Sequence, residues 1–320
     1  MQIPNKSLTD QNIFLLDETH RFSERNYLLL KVVMFTLNNG NSFPLIGFGT
    51  YLIRGTETIR NVIDISLAAG YRSFDTAAVY GNEEDLGKAF EELLPKYNLK
   101  RSDIFITTKL SPLDQGKGRA RAAALNSLKK LNQSYVDLYL IHWPGVSGVD
   151  VRSDENSKAR KESWFDIVEL HKEGLLRNIG VSNYTVSHLK ELLNDGGGVK
   201  PVVNQVEYHP LYRQTDLLEF CKNERILLQA YSSLGGTGKT DTLMSDPVVK
   251  EVAEHVGKSW SQVLLKWALQ NGAAIIPKST TEKRIYSNID LNFELSKEDM
   301  NKLNSLNKTQ KFAWDPASVK

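Results

Sequence analysis

The chain has 320 residues, 41% of them hydrophobic, which is enough for one large core or two ordinary domains, so length leaves the domain count open. Its 40 basic and 38 acidic residues leave a net charge of +2, too weak a field to draw in nucleic acid or a membrane surface; a small ligand fits better. The single cysteine, Cys221, excludes an intramolecular disulfide and a thiolate cluster and suits the reducing cytoplasm, and the six histidines show no pair at zinc-ligand spacing, so no metal is expected.

In chain order, residues 1–33 are mostly polar and lack a sustained period; they read as a poorly ordered extension, with 34–320 as one folded domain. The apolar stretch 27–35 is interrupted by Lys31, is far too short to span a membrane and is followed by no small-residue cleavage site. A hairpin comes next, with Asn39 and Gly40 between Phe35-Thr36-Leu37 and Phe43-Pro44-Leu45.

From there β-like runs at 47–51, 71–75, 104–109, 136–142, 178–182, 202–207, 227–231 and 274–277 alternate with amphipathic segments such as 82–94, 119–131, 163–173 and 215–223. Two further helical stretches, taken as extra to the repeat, lie at 259–270 and 297–306. Eight strands joined by crossovers predict an α/β fold, a closed (β/α)8 barrel with an N-terminal hairpin and two extra helices. An open doubly wound sheet would place a three-glycine phosphate turn after its first strand, and Gly47-Phe48-Gly49 lacks the third glycine. The run 235–240 imitates a P-loop, but the spacing requires glycine where Ser233 stands; it reads as a mobile loop over the site.

A barrel of this kind concentrates function at the C-terminal ends of its strands. Asp75, Lys109 and His142 end successive predicted strands, and Tyr80 follows Asp75 on the loop, so four ionisable groups converge on one rim. Reducing a carbonyl needs a hydride at carbon and a proton at oxygen, and a tyrosine with a reference pKa of about 10 needs help to give up its proton. A lysine ammonium beside it favours tyrosinate, an aspartate holds that lysine charged, and a neutral histidine orients the carbonyl. Each residue alone has an ordinary reading as a packed or paired polar group; their convergence is what points to chemistry.

Three stretches make the chain similar to the aldo-keto reductase family over 34–320. They are Gly70-Tyr71-Arg72-Ser73-Phe74-Asp75 with Tyr80-Gly81-Asn82-Glu83, then the run from Glu173-Gly174-Leu175 to Gly180-Val181-Ser182-Asn183, and Ile276-Pro277-Lys278-Ser279. The resemblance implies that Asp75, Tyr80, Lys109 and His142 form the catalytic tetrad of an NADPH-dependent carbonyl reductase, with Tyr80 as general acid. It implies that Ser182, Asn183 and Gln205 hold the nicotinamide carboxamide and that Tyr231 stacks on its ring. Gly49, Thr50, Tyr51 and Asp75 would also line the cofactor, Lys278, Ser279 and Arg284 would meet the adenosine 2′-phosphate, and Asn288 would lie near the adenine. A dianionic phosphate favours lysine and an arginine fork. Tyr51, Tyr80, His142 and Trp143 would face a small-molecule carbonyl substrate.

The chain departs from the family pattern at Ser287, where many members have a glutamate, and at Ser111, often a tryptophan. Its tail, 309–320, is shorter than in the vertebrate steroid and aldose reductases. These departures imply a wider pocket with fewer walls, and the chain is taken as a monomer. The alternative is a non-catalytic NADP-binding relative with an auxiliary or structural role, because fold does not fix function. A metal-dependent sugar isomerase on the same barrel would need a divalent site that the strand-end acids and histidines do not form.

Overall fold

Short apolar runs separated by amphipathic stretches build a ring of parallel strands inside a shell of helices. The computed structural model describes residues 13–15, 33–236 and 241–320; most of the N-terminal extension and the 237–240 part of the proposed loop lie outside the described residues. Strands β1 (Ile13–Leu15), β2 (Val33–Thr36) and β3 (Ser42–Pro44) form an antiparallel sheet in that order. The β2–β3 hairpin turns where expected, with Gly40 at φ 86°, a conformation open to glycine at no steric cost. Buried Phe43 from this hairpin meets Phe105 edge to face at 5.0 Å, within an apolar cluster that includes Leu138, Leu140 and Leu227.

The barrel strands are β4 (Phe48–Gly49), β5 (Ser73–Asp75), β6 (Phe105–Leu110), β7 (Leu138–Ile141), β8 (Ile179–Ser182), β9 (Val203–Glu207), β10 (Leu227–Tyr231) and β11 (Ala274–Ile275). Each pairs in parallel with the next. The ring closes through Gly47 N to Ile275 O at 2.8 Å, Ile275 N to Leu45 O at 2.8 Å and Gly49 N to Pro277 O at 3.0 Å. Gly49 is needed at this closure, because a Cβ there would stand 2.7 Å from Ile276 O.

The helices are α1 (Thr56–Ala68), α2 (Glu83–Lys96), α3 (Arg119–Lys130), α4 (Asp154–Lys172), α5 (Val186–Asp195), α6 (Thr215–Glu224), α7 (Asp241–Met244), α8 (Pro247–Val256), α9 (Trp260–Gln270), α10 (Glu282–Ile289) and α11 (Lys297–Asn304). Helix α4 begins nine residues before the expected 163, because Ser153 caps it and its first turns are polar, with no apolar stripe to mark them. The stretch at 259–270, read as extra, is the crossover between β10 and β11; the helices outside the repeat are the one-turn α7, α8, started by an Asp246 cap with Pro247 behind it, and α11, the other stretch read as extra. A continuous apolar layer between strands and helices buries Trp164 and Trp267 completely. Among the described residues no helix is long and apolar enough to cross a membrane.

Candidate active site

The C-terminal ends of the parallel strands bring the expected polar residues to one rim. Asp75 is the last residue of β5 and Lys109 lies in β6, next to it in the sheet, with both side chains buried. Lys109 Nζ donates to Asp75 Oδ1 at 2.6 Å, to Thr76 O at 2.8 Å and, more loosely, to the Tyr80 hydroxyl at 3.4 Å. All three ammonium donors therefore have partners. The second Asp75 oxygen accepts from Gln205 Nε2 at 2.7 Å, and Gln205 also donates to Gln229 Oε1 at 2.8 Å.

Tyr80 ends a short 3-10 turn, Ala78–Tyr80, closed by Gly81 in the left-handed region at φ 69°. Its ring lies 5.0 Å from Lys109 Nζ, 5.1 Å from the Tyr51 ring and 5.8 Å from the His142 ring. Burial pushes the Tyr80 phenol well above its ordinary value, and the Asp75 charge acts the same way. The expected downward pull from Lys109 is thus not the net direction: the phenol keeps its proton at neutral pH. Burial lowers Lys109 from its ordinary value, opposed by Asp75.

His142 follows β7 and is buried; its Nδ1 has no hydrogen-bond partner. Burial and the Lys109 charge hold the imidazole well below its ordinary value, so it is neutral at physiological pH. Asn183, just past β8, takes a left-handed backbone at φ 62°, which asparagine tolerates better than most residues. There its Nδ2 donates to His142 O at 2.9 Å and its Oδ1 accepts from the Tyr231 hydroxyl at 2.7 Å, tying together the ends of three strands. Ser182 Oγ donates to Gln205 O at 2.8 Å. Thr50 bonds to Asp75 O through both its N–H and its hydroxyl.

The remaining expected residues lie apart from this cluster. Ser279 is buried, and its Oγ accepts from Thr281 N at 3.0 Å; Lys278 and Arg284 are exposed on either side of the α10 N-terminus. Thr281 gives that terminus no side-chain cap; with Thr281 N on Ser279 Oγ and Arg284 N on Thr281 O, the N–H groups of exposed Glu282 and Lys283 are the ones suited to an anion, although the Glu282 carboxylate stands in the same turn. Asn288 is buried on α10. This donor set of a lysine, an arginine and free helix N–H groups fits a phosphate. The Asn183 amide with the Ser182 and Tyr231 hydroxyls, bonded together and to His142 O, fits the amide-bearing ring of a nicotinamide.

Two contributors escaped the sequence reading. Asn82 Nδ2 donates to Thr50 O and Ile53 O, each at 3.1 Å, while its Oδ1 accepts from Thr76 at 2.6 Å, pinning the loops after β4 and β5. Its sequence signals are its place in the Tyr80-Gly81-Asn82-Glu83 stretch and at a helix start, and neither gives it this role. Trp314, from the short tail, meets Trp143 edge to face at 5.2 Å, and Trp143 stacks on His142 at 6.2 Å. The tail therefore supplies a wall despite its length, and exposed Tyr51, its ring 5.1 Å from that of Tyr80, supplies another. Among the described residues no cluster of histidine, cysteine and acidic side chains is placed to hold a metal.

The model of the Aldo/keto reductase family matches residues 45–308. The chain is 40% identical over 281 residues to the glyoxal reductase of Bacillus subtilis (strain 168), covering 88% of this chain and 95% of that one. It is 39% identical over 281 residues to the methylglyoxal reductase DkgA of Escherichia coli (strain K12), with 88% and 95% covered. Among solved structures, a Bombyx mori aldo-keto reductase in complex with NADP superposes at a TM-score of 0.79 with 32% identity, over 88% of this chain and 94% of that one.

Proposed function

This chain belongs to the aldo/keto reductase family, and we propose that it reduces aldehydes and ketones with NADPH, small α-dicarbonyls among them, through Asp75, Tyr80, Lys109 and His142. The observation that carries the reading is the Lys109 ammonium, sealed from solvent and shared between Asp75 Oδ1 and the Tyr80 hydroxyl. A buried charge is costly unless it is used or paired, and here it is aimed at a phenol that holds its proton.

When bound, NADPH supplies the hydride. Tyr80 holds the proton that the carbonyl oxygen takes up, and the Lys109 ammonium stabilises the phenolate left behind. Asp75, fixed from its other side by Gln205, keeps Lys109 charged and aimed. The neutral His142 imidazole orients the carbonyl oxygen beside Tyr80. Ser182, Asn183 and Gln205 would hold the carboxamide, Tyr231 the ring face, and Gly49, Thr50 and Tyr51 the near wall. Lys278, Ser279 and Arg284 would hold the 2′-phosphate, and Asn288 the adenine end.

Cytoplasmic location and a monomeric state belong to the same reading, supported by a lone cysteine buried where no partner thiol reaches it. The decisive experiment follows NADPH absorbance with methylglyoxal and with 4-nitrobenzaldehyde. Turnover of either supports the reading. Tight NADPH binding with no turnover of any carbonyl would place the chain among non-catalytic relatives.

A further inference from the structure

Glu207 closes β9 two residues beyond Gln205, is 2% exposed, and touches none of the tetrad side chains through a hydrogen bond. Both of its carboxylate oxygens are spent on the C-terminal tail. Oε1 accepts from Phe312 N at 2.6 Å and Oε2 from Ala313 N at 3.0 Å, while the ring of His209 lies 2.9 Å away on Oε1. Two consecutive main-chain N–H groups on one carboxylate are a charge-assisted clamp. The same stretch is held by packing: the Phe312 ring lies 4.8 Å from the His209 ring, and Lys311 Nζ sits 4.5 Å over the Tyr212 ring.

Trp314 is the next residue but one after Phe312. It is 49% exposed and its ring meets that of Trp143 edge to face, so its own burial does little to fix its place. What fixes it is the backbone on either side. Beyond it, His188 Nε2 bonds Val319 O at 2.8 Å and Arg160 donates to Lys320 O at 2.8 Å, fastening the far end of the tail to helices α4 and α5. The tail is a strap tied to Leu211 O by Gln310 N at 3.0 Å, then to Glu207, and at its far end to α4 and α5; Trp314 is slung between the Glu207 bonds and that far end.

We infer that Glu207 is a positioning residue for substrate selection: its carboxylate holds the 312–313 backbone so that Trp314 stands against Trp143 as one wall of the carbonyl pocket. This rests on the reductase reading above. A small dicarbonyl that fills only the space around Tyr80 and His142 does not reach the wall, whereas an aromatic aldehyde packs on it. Loosening the strap therefore weakens binding of the bulky substrate and leaves the chemistry of the small one alone.

Two variants test the clamp from its two sides. Glu207→Gln replaces one acceptor by a donor facing a main-chain N–H, and Ala313→Pro removes one N–H while leaving the barrel untouched. Tryptic cleavage after Lys311, followed by mass, should be faster in both than in the wild type; an unchanged rate in both means that the Glu207 carboxylate does not hold the tail in place, whatever the protein catalyses. Both should raise KM for 4-nitrobenzaldehyde roughly tenfold, as the loss of about one charged hydrogen bond allows, with kcat and KM for methylglyoxal unchanged. Trp314→Ala should show the same split, and Glu207→Gln should add nothing to it. Equal losses for the two substrates, or additive losses in the Trp314→Ala background, would overturn the selectivity role. A wild type inactive on both carbonyls would instead overturn the reductase reading, with the cleavage rates still deciding the clamp.

Discussion

Gln205 reaches across the barrel to donate to Asp75 Oδ2 at 2.7 Å, on the side of the carboxylate away from Lys109. Asp75 is therefore an acceptor between two donors, and its charge is what offsets the burial that lowers Lys109. Asp75→Asn puts an amide N–H where one of those donors points and removes the charge. We expect Lys109 to lose its proton more readily in that variant, so turnover should collapse near neutral pH and recover as the solution is made more acidic. Wild-type turnover should show no such recovery. Steady-state rates between about pH 6 and 9 decide it; an Asp75→Asn profile parallel to the wild type would show that Asp75 does not act through the lysine charge.

His142 supplies a stability prediction. Its folded-state pKa is depressed well below the ordinary 6.5 by burial and by Lys109. Below pH 6.5 the unfolded chain takes up a proton at this position that the folded chain refuses, so stability is fully present above that pH and falls as the pH drops through it. One such group gives a slope of about 1.4 kcal/mol per pH unit. His188, lowered mainly by its own burial, adds to the same limb. Thermal unfolding of His142→Gln between pH 7 and pH 5 should be less pH-dependent than that of the wild type, and an identical dependence would refute the neutral buried imidazole.

The α10 terminus predicts cofactor preference. Lys278 and Arg284 flank free helix N–H groups, and a 2′-phosphate held there should favour NADPH over NADH by about 1.5 to 3 kcal/mol, one to two decades in dissociation constant. Fluorescence titration should show the preference shrinking in Lys278→Ala and Arg284→Ala. Equal affinities in the wild type would mean that these exposed cations only solvate the helix.

A chain begun at Met34 should keep its melting temperature and its turnover, because the bonds that close the ring, from Leu45 O to Pro277 O, involve no residue before Met34; the bond from Leu45 N to Val33 O at 2.9 Å is the one lost beside them. The strand Ile13–Leu15 pairs with β2 at the outer side of the three-stranded sheet. If the shortened chain is insoluble or inactive, that strand is part of the working fold.

The strands were legible because a buried parallel strand is an apolar run bounded by turn residues. The strand-end polar residues stood out because each breaks an apolar run at its C-terminal end: Asp75 is the last residue of β5, Lys109 the last but one of β6, and His142 follows β7. Helix α1 was harder: it has no side-chain cap and opens on Gly55, a weak start signal. Glu207 and Trp314 were illegible for a different reason. The bond from Phe312 to Glu207 spans 105 residues, and nothing local to either position announces a partner that distant. The convergence of Asp75, Tyr80 and Lys109 also spans the sequence, but the regular strand repeat tells the reader that they meet; no repeat places the tail.

The last prediction concerns Tyr80→Phe. The hydroxyl is the group in the tetrad that holds a transferable proton at neutral pH, its phenol being driven up by burial while His142 is neutral and Lys109 is committed to three acceptors. Removing it should cost at least the 10² to 10⁴ in rate that general acid catalysis supplies. NADPH affinity should stay nearly intact, because the hydroxyl makes no bond to Ser182, Asn183, Lys278 or Arg284. Lys109→Met should lose turnover as severely, but it also strands the Asp75 carboxylate in the interior, a loss of about 3 to 5 kcal/mol of stability that Tyr80→Phe does not incur. The two variants are therefore separable: similar loss of single-turnover hydride transfer, with a lowered melting temperature in the lysine variant alone. His142→Ala should act through orientation and harm the rate less than either. Near-normal hydride transfer in Tyr80→Phe would remove the proton-donor role, and undetectable NADPH binding would make the tyrosine a structural residue of the rim.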